Sequence, residues 1–158
     1  MKLFDLLFKP KKKNSNPFAL PITAEYTYEA ENIPRILKCY NVFTDSFLDS
    51  LRESYLKNIP TQTFEDSDLL PGIERGYAFW VLNHCLRIVS ARKSVVETLE
   101  NAESTEVKYI DFEVFRPCPN CKKIPKNKRY KLSDSIPIYP CEDCKEDNIC
   151  LFAYNLRW

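Results

Sequence analysis

The sequence predicts an α+β protein: a helical body around one long central helix, followed by a C-terminal antiparallel β region. Three observations predict it. Between Ile73 and Leu99 the apolar residues recur at steps of three and four. From Thr105 to Arg116, and again from Ile149 to Trp158, the period changes to two. Between those alternating stretches lie two C-x-x-C pairs, Cys118-Pro-Asn-Cys121 and Cys141-Glu-Asp-Cys144.

In chain order, residues 1–20 form a basic N-terminal segment. Leu3, Phe4, Leu6, Leu7 and Phe8 precede Lys9 and Lys11 to Lys13. An apolar patch beside lysines suits a membrane-surface or docking segment. So short a patch binds lipid marginally, which favours a helix packed on the body or a frayed end. Residues 21–105 form the mainly helical body. Ala19 to Tyr28 is expected to be extended, because Ile22, Ala24, Tyr26 and Tyr28 alternate with polar residues. Asn32 is the expected cap of a short helix, with Pro34 in its first turn and Ile36, Leu37 and Tyr40 inward. Thr44 or Asp45 starts the next helix. Phe47, Leu48, Leu51, Tyr55 and Leu56 recur at helical spacing, and Pro60 stops it. Residues 61–72 read as a loop.

The long helix is expected from about residue 73 to 101. Ile73, Tyr77, Trp80, His84, Ile88, Val95 and Leu99 mark its apolar stripe, widened by Phe79, Leu82, Leu86, Val89 and Val96. His84 on that stripe reads as a core histidine, and Cys39 and Cys85 as small hydrophobes. Residues 106–158 form the β region. Its two strands, 106–116 and 149–158, should pair antiparallel, with Cys150 as an ordinary strand residue.

The two Cys pairs are separated by nineteen residues, 122 to 140. Two such pairs are a zinc signature, because each supplies two thiolates from one tight turn and Zn²⁺ prefers four soft ligands in a tetrahedron. Cys118, Cys121, Cys141 and Cys144 are the expected ligands. The order strand, Cys pair, loop, Cys pair, strand resembles a zinc ribbon over about residues 106–158. Pro119 fits the C-P-x-C form of many such turns. Lys122 and Lys145 stand where ribbons commonly place Gly, and a left-handed non-Gly residue costs on the order of 1 kcal/mol. Four thiolates close the coordination sphere, whereas catalytic zinc keeps a position open. The expected Zn²⁺ is therefore structural and contributes folding energy directly.

No Gly-rich phosphate loop, nucleophile elbow or H-E-x-x-H occurs, so no enzymatic role is expected. The net charge of +1 conceals a division. Residues 1–13 carry +4, residues 14–115 carry −7, residues 116–131 carry +7 and residues 132–158 carry −3. An acidic body steers a basic partner toward it. Glu65, Asp66 and Asp68, with Glu97, Glu100 and Glu103, are the candidate contacts for a basic protein. This general composition resembles that of bacterial toxin-neutralising immunity proteins, without a shared motif. The alternative is nucleic-acid binding through Lys122, Lys123, Lys126, Lys128, Arg129, Tyr130 and Lys131, where cations hold phosphates and the ring stacks a base. The seven Cys without a secretion signal, and the lack of any membrane-length apolar run, place the expected protein in the cytoplasm.

Overall fold

The computed structural model describes residues 26–103, 105–115, 118–123, 128–134, 136–142, 144–145 and 151–158. Three helices come first: α1 Thr27–Lys38, α2 Asp45–Leu56 and α3 Arg75–Glu103. Three strands follow: β1 Tyr109–Phe115, β2 Tyr130–Lys131 and β3 Leu151–Arg157. The architecture is α+β, as the sequence predicts.

α1 begins earlier than expected. Thr27 and Tyr28 are helical, so the alternation at 22–28 does not make a strand of its described end; residues 19–25 lie outside the described residues. Asn32 is not a cap, and Pro34 sits in the helix interior rather than its first turn. The proline removes one intrahelical hydrogen bond. Burial of Ala30, Ile33, Ile36 and Leu37 holds the helix regardless. Cys39, the C-terminal cap, is exposed rather than a small core residue, and its thiol contacts the Arg35 carbonyl.

α2 starts as expected, with the Thr44 hydroxyl accepting from the Phe47 amide at 3.3 Å. Asn41 and Asn58 adopt positive φ after α1 and α2, the turn role that a chain with two glycines assigns to asparagine. The acidic loop is pinned to the α1–α2 connection. Thr44 N–H donates to the Asp68 carbonyl at 2.8 Å, and Leu70 N–H to the Val42 carbonyl at 2.9 Å. Beneath it the rings of Phe43, Phe47 and Phe64 pack together, with centroids 4.7 to 6.4 Å apart.

α3 buries Ala78, Val81, Leu82, Cys85, Ile88 and Val89 in one core with α1 and α2. Tyr77 and Phe79 are exposed and do not belong to that face. Each is one residue from Ala78, hence turned about 100° away from it.

The sheet order is β2-β1-β3. β1 and β3 pair antiparallel, with Tyr109 opposite Arg157 and Phe115 opposite Leu151. Ile110, Val107 and Ala102 form a second cluster, against which Leu99, Tyr154 and Leu156 pack. The outer face carries Tyr109, Asp111, Glu113 and Phe115. The Tyr154 hydroxyl donates to the Pro137 carbonyl at 2.7 Å and accepts from the Tyr139 amide at 3.2 Å. That contact ties β3 to the segment that leads into the second Cys pair. Among the described residues, no helix is long and apolar enough to cross a membrane.

Candidate metal centre

β1 delivers the chain to the first Cys pair. There Lys122 N–H closes back on the Cys118 carbonyl at 2.9 Å, and the Cys121 amide points at the Cys118 sulfur at 3.4 Å. In the second pair the Cys144 amide closes on the Cys141 carbonyl at 3.2 Å. The two turns meet. The sulfurs of Cys118 and Cys141 lie 3.2 Å apart, and those of Cys118, Cys141 and Cys144 all fall within 4.8 Å of one another. Four bonds of about 2.3 Å at tetrahedral angles set sulfurs about 3.8 Å apart, so these three thiols are placed to hold a metal ion. Cys121 lies outside that tight trio, but its thiol hydrogen-bonds toward both Cys118 and Cys141. Among the described residues no disulfide forms.

Most of the site is enclosed, with Cys141 partly exposed. Cys118, Cys121 and Cys144 are 5 %, 3 % and 1 % exposed and belong to the same core cluster as the helices. Burial opposes ionisation of Cys118, but amide donors from Cys121 and Asn120 and the neighbouring thiols outweigh it and lower its pKa. Burial raises the Cys141 pKa, and the Cys118 and Cys121 thiols raise it further. The two sulfurs that lie closest together are thus shifted in opposite directions.

The helical body clamps the second pair. His84 on α3, 2 % exposed, meets the Cys144 carbonyl through Nε2. A carbonyl only accepts, so Nε2 carries the proton. The Tyr40 hydroxyl donates to the same carbonyl at 3.3 Å. The His84 ring stacks on Trp80, with centroids 4.8 Å apart. Arg92, two turns further along α3, donates to the carbonyls of Ile138 and Pro140 at 2.9 and 2.7 Å. It also pairs with Glu142 at 3.1 Å. Arg35 on α1 grips both oxygens of Glu142, at 2.6 and 2.8 Å. The Tyr139–Pro140 peptide is cis. Sequence reasoning missed this clamp. Its signal was Arg92, a lone cation four residues beyond Ile88 on an otherwise apolar stripe.

The other candidates are scattered. Glu65 and Asp68 cap each other's short 3-10 turn, and Asp66 pairs with Arg75 at 2.5 Å. Glu97 lies 4.0 Å from Lys93, on its own helix, and Glu100 is exposed. The Glu103 side chain lies outside the described residues. Lys122, Lys123, Lys128, Arg129 and Lys131 are exposed, and Lys126 lies outside the described residues. Tyr130 is 4 % exposed, packed in the core with the Lys128 ammonium 4.8 Å from its ring centroid. It therefore offers no face to a base, because β2 turns it inward beside Ile110.

No family model matches the chain, and no curated protein or solved structure matches it. The Cys cluster is compatible with a zinc-ribbon-like motif.

Proposed function

We propose that this is a non-catalytic, zinc-stabilised cytoplasmic binding protein that acts through a basic protein partner, as toxin-neutralising proteins do. The observation that carries the reading is the enclosure of the Cys cluster by the chain's own clamp. Cys118, Cys121, Cys141 and Cys144 would hold Zn²⁺, which would supply a cross-link between the two turns and no open coordination position. Four thiolates on one divalent cation leave a net negative charge. Arg92 and Arg35, through Glu142 and the carbonyls of residues 138 and 140, supply positive charge at its edge. A clamp of this kind positions and stiffens a scaffold rather than a reacting group.

With chemistry closed off there, function falls to the surface, where the acidic loop is a charged and well-braced part. Glu65, Asp66 and Asp68 are held by the capping turn and by the Phe43–Phe47–Phe64 cluster. A partner recovered from the native cell should be lost when Glu65 and Asp66 are changed to Lys. Unchanged recovery would count against this face. The alternative rests on the exposed Lys122, Lys123, Lys128, Arg129 and Lys131, now without a stacking ring. Phosphate binding there predicts a steep salt dependence with mixed RNA and DNA, and no binding at low salt removes it.

A further inference from the structure

The chain contains two glycines. Gly72 has φ of +81°, a conformation that calls for glycine. Gly76 has no such reason. It is the second residue of α3, where alanine would favour the helix by up to about 1 kcal/mol. Among the described residues, a Cβ built on it meets nothing within 4 Å. Neither the backbone nor the packing of the described residues requires glycine there.

That space is a hollow of about 490 Å³ lined by Gln62, Thr63, Phe64, Arg75, Gly76 and Phe79. Its floor is apolar. Phe64 is fixed from below by Phe43 and Phe47, and Phe79, on the rim, is 59 % exposed. The Arg75 guanidinium lies 5.0 Å from the centroid of the Phe64 ring and donates to the Phe64 carbonyl at 2.9 Å. Its charge is met by Asp66. On the far side of Arg75 a second hollow of about 360 Å³ continues past Leu69 and Ile73. Residues 61–79 carry Glu65, Asp66, Asp68 and Glu74 against the single Arg75, a net charge of −3. The first turn of a helix alone would attract an anion, but these carboxylates repel one.

We propose that this two-hollow groove is the docking site for a positively charged peptide segment of a partner protein. An aromatic or branched aliphatic side chain of that segment enters above Gly76, and flanking Lys or Arg residues meet Glu65 and Glu74. The proposal rests on the protein-partner reading above and goes further by naming the groove and the anchor. An apolar hollow with aromatic walls, on a stretch of net negative charge, suits such a segment.

The test is selection of a random linear peptide library on the full, metal-loaded chain. Enriched sequences should carry Lys or Arg around a Phe, Trp, Leu or Ile. Their affinity should fall at least about tenfold, or about 1.4 kcal/mol, on Gly76→Leu, which fills the hollow. That variant should melt no lower than the parent, since leucine favours the helix. Non-basic winners, no winners, or equal binding to Gly76→Leu would overturn the proposal. If Glu65→Lys/Asp66→Lys abolishes partner binding while Gly76→Leu does not, the acidic-face reading stands and the groove falls. A photo-cross-linker in place of Phe79 should label the added peptide. Labelling of residues 1–13 of the same chain, or of a second copy, would give the groove another occupant and end the proposal.

Discussion

His84 on the long helix donates a buried hydrogen bond to the backbone carbonyl of Cys144, sixty residues away in sequence. The bond makes the orientation of the second Cys pair a property of α3. Its energetic weight is raised by burial, since an unpaired carbonyl there has no water to turn to.

Removing the imidazole should therefore act on stability and metal affinity together. His84→Ala opens a cavity beside Trp80 and leaves Tyr40 as the other donor to Cys144. We expect a loss of about 2–4 kcal/mol in unfolding free energy and metal binding weaker by about 10- to 100-fold. Thermal unfolding and chelator competition measure the two effects.

Metal stoichiometry tests the donor set. The purified chain should carry about one zinc per molecule, and Cys118→Ser, Cys141→Ser or Cys144→Ser should each abolish stoichiometric metal. Cys121→Ser should do so as well if the fourth thiol moves in from its contacts with Cys118 and Cys141. Cys39→Ser and Cys85→Ala should leave the metal in place. Burial pushes the Cys85 thiol up to about 12, which keeps it neutral and inert. Strong chelators should lower the melting temperature of the parent.

The two arginines on Glu142 should differ in worth. The Arg92 side chain is 15 % exposed and that of Arg35 51 %. Arg92 also holds two carbonyls. Arg92→Ala should cost about 2 kcal/mol, because it leaves the carbonyls of Ile138 and Pro140 without this charged donor. Arg35→Ala should cost at most about 1 kcal/mol, as for exposed pairs. Urea unfolding of both variants checks the order.

Glu142 also sets a pH dependence. Hydrogen bonding from Arg35 holds its carboxyl below the ordinary 4.5, against partial desolvation, with the Arg92 charge adding to the effect. A lowered native pKa gives stability that is present above the unfolded value and lost as pH falls through the native one. The stability difference between the parent and Glu142→Gln should be constant above about pH 5.5 and shrink below about pH 4.5. Comparing the two chains cancels the acid release of metal common to both.

At the start of α2, Thr44→Ala removes the hydroxyl that caps the Phe47 amide and should cost about 1 kcal/mol. Thr44→Ser should retain most of it.

Much of the fold was legible because period and punctuation agreed. Apart from Ile73, which precedes the helix, the stripe read from Ile73 to Leu99 falls inside Arg75–Glu103, and the alternations at 106–116 and 149–158 contain the paired strands Tyr109–Phe115 and Leu151–Arg157. The Cys spacing named the three thiols, of Cys118, Cys141 and Cys144, that come together. What failed lay where two periods overlapped: Tyr26 and Tyr28 alternate like a strand, yet Ala30, Ile33 and Leu37 continue a helical face. Tyr77 and Phe79 were apolar letters beside the stripe, and hydrophobicity alone does not show which flank of a helix goes uncovered. Tyr130 looked like a stacking ring because a short strand partner, here Ile110, leaves no periodic trace. The clamp was invisible for a related reason. Its contacts join residues 46 to 107 positions apart, and backbone carbonyls have no sequence signature.

One rod, α3, presents Gly76 and Phe79 near its start and His84 and Arg92 in its middle. Each added or deleted residue between Phe79 and His84 would swing one set by about 100° relative to the other and slide it by about 1.5 Å. The spacing of those few positions is thus a phase as well as a distance. Homologous chains should keep the length of that stretch constant, and a single inserted alanine there should part the two sets of contacts.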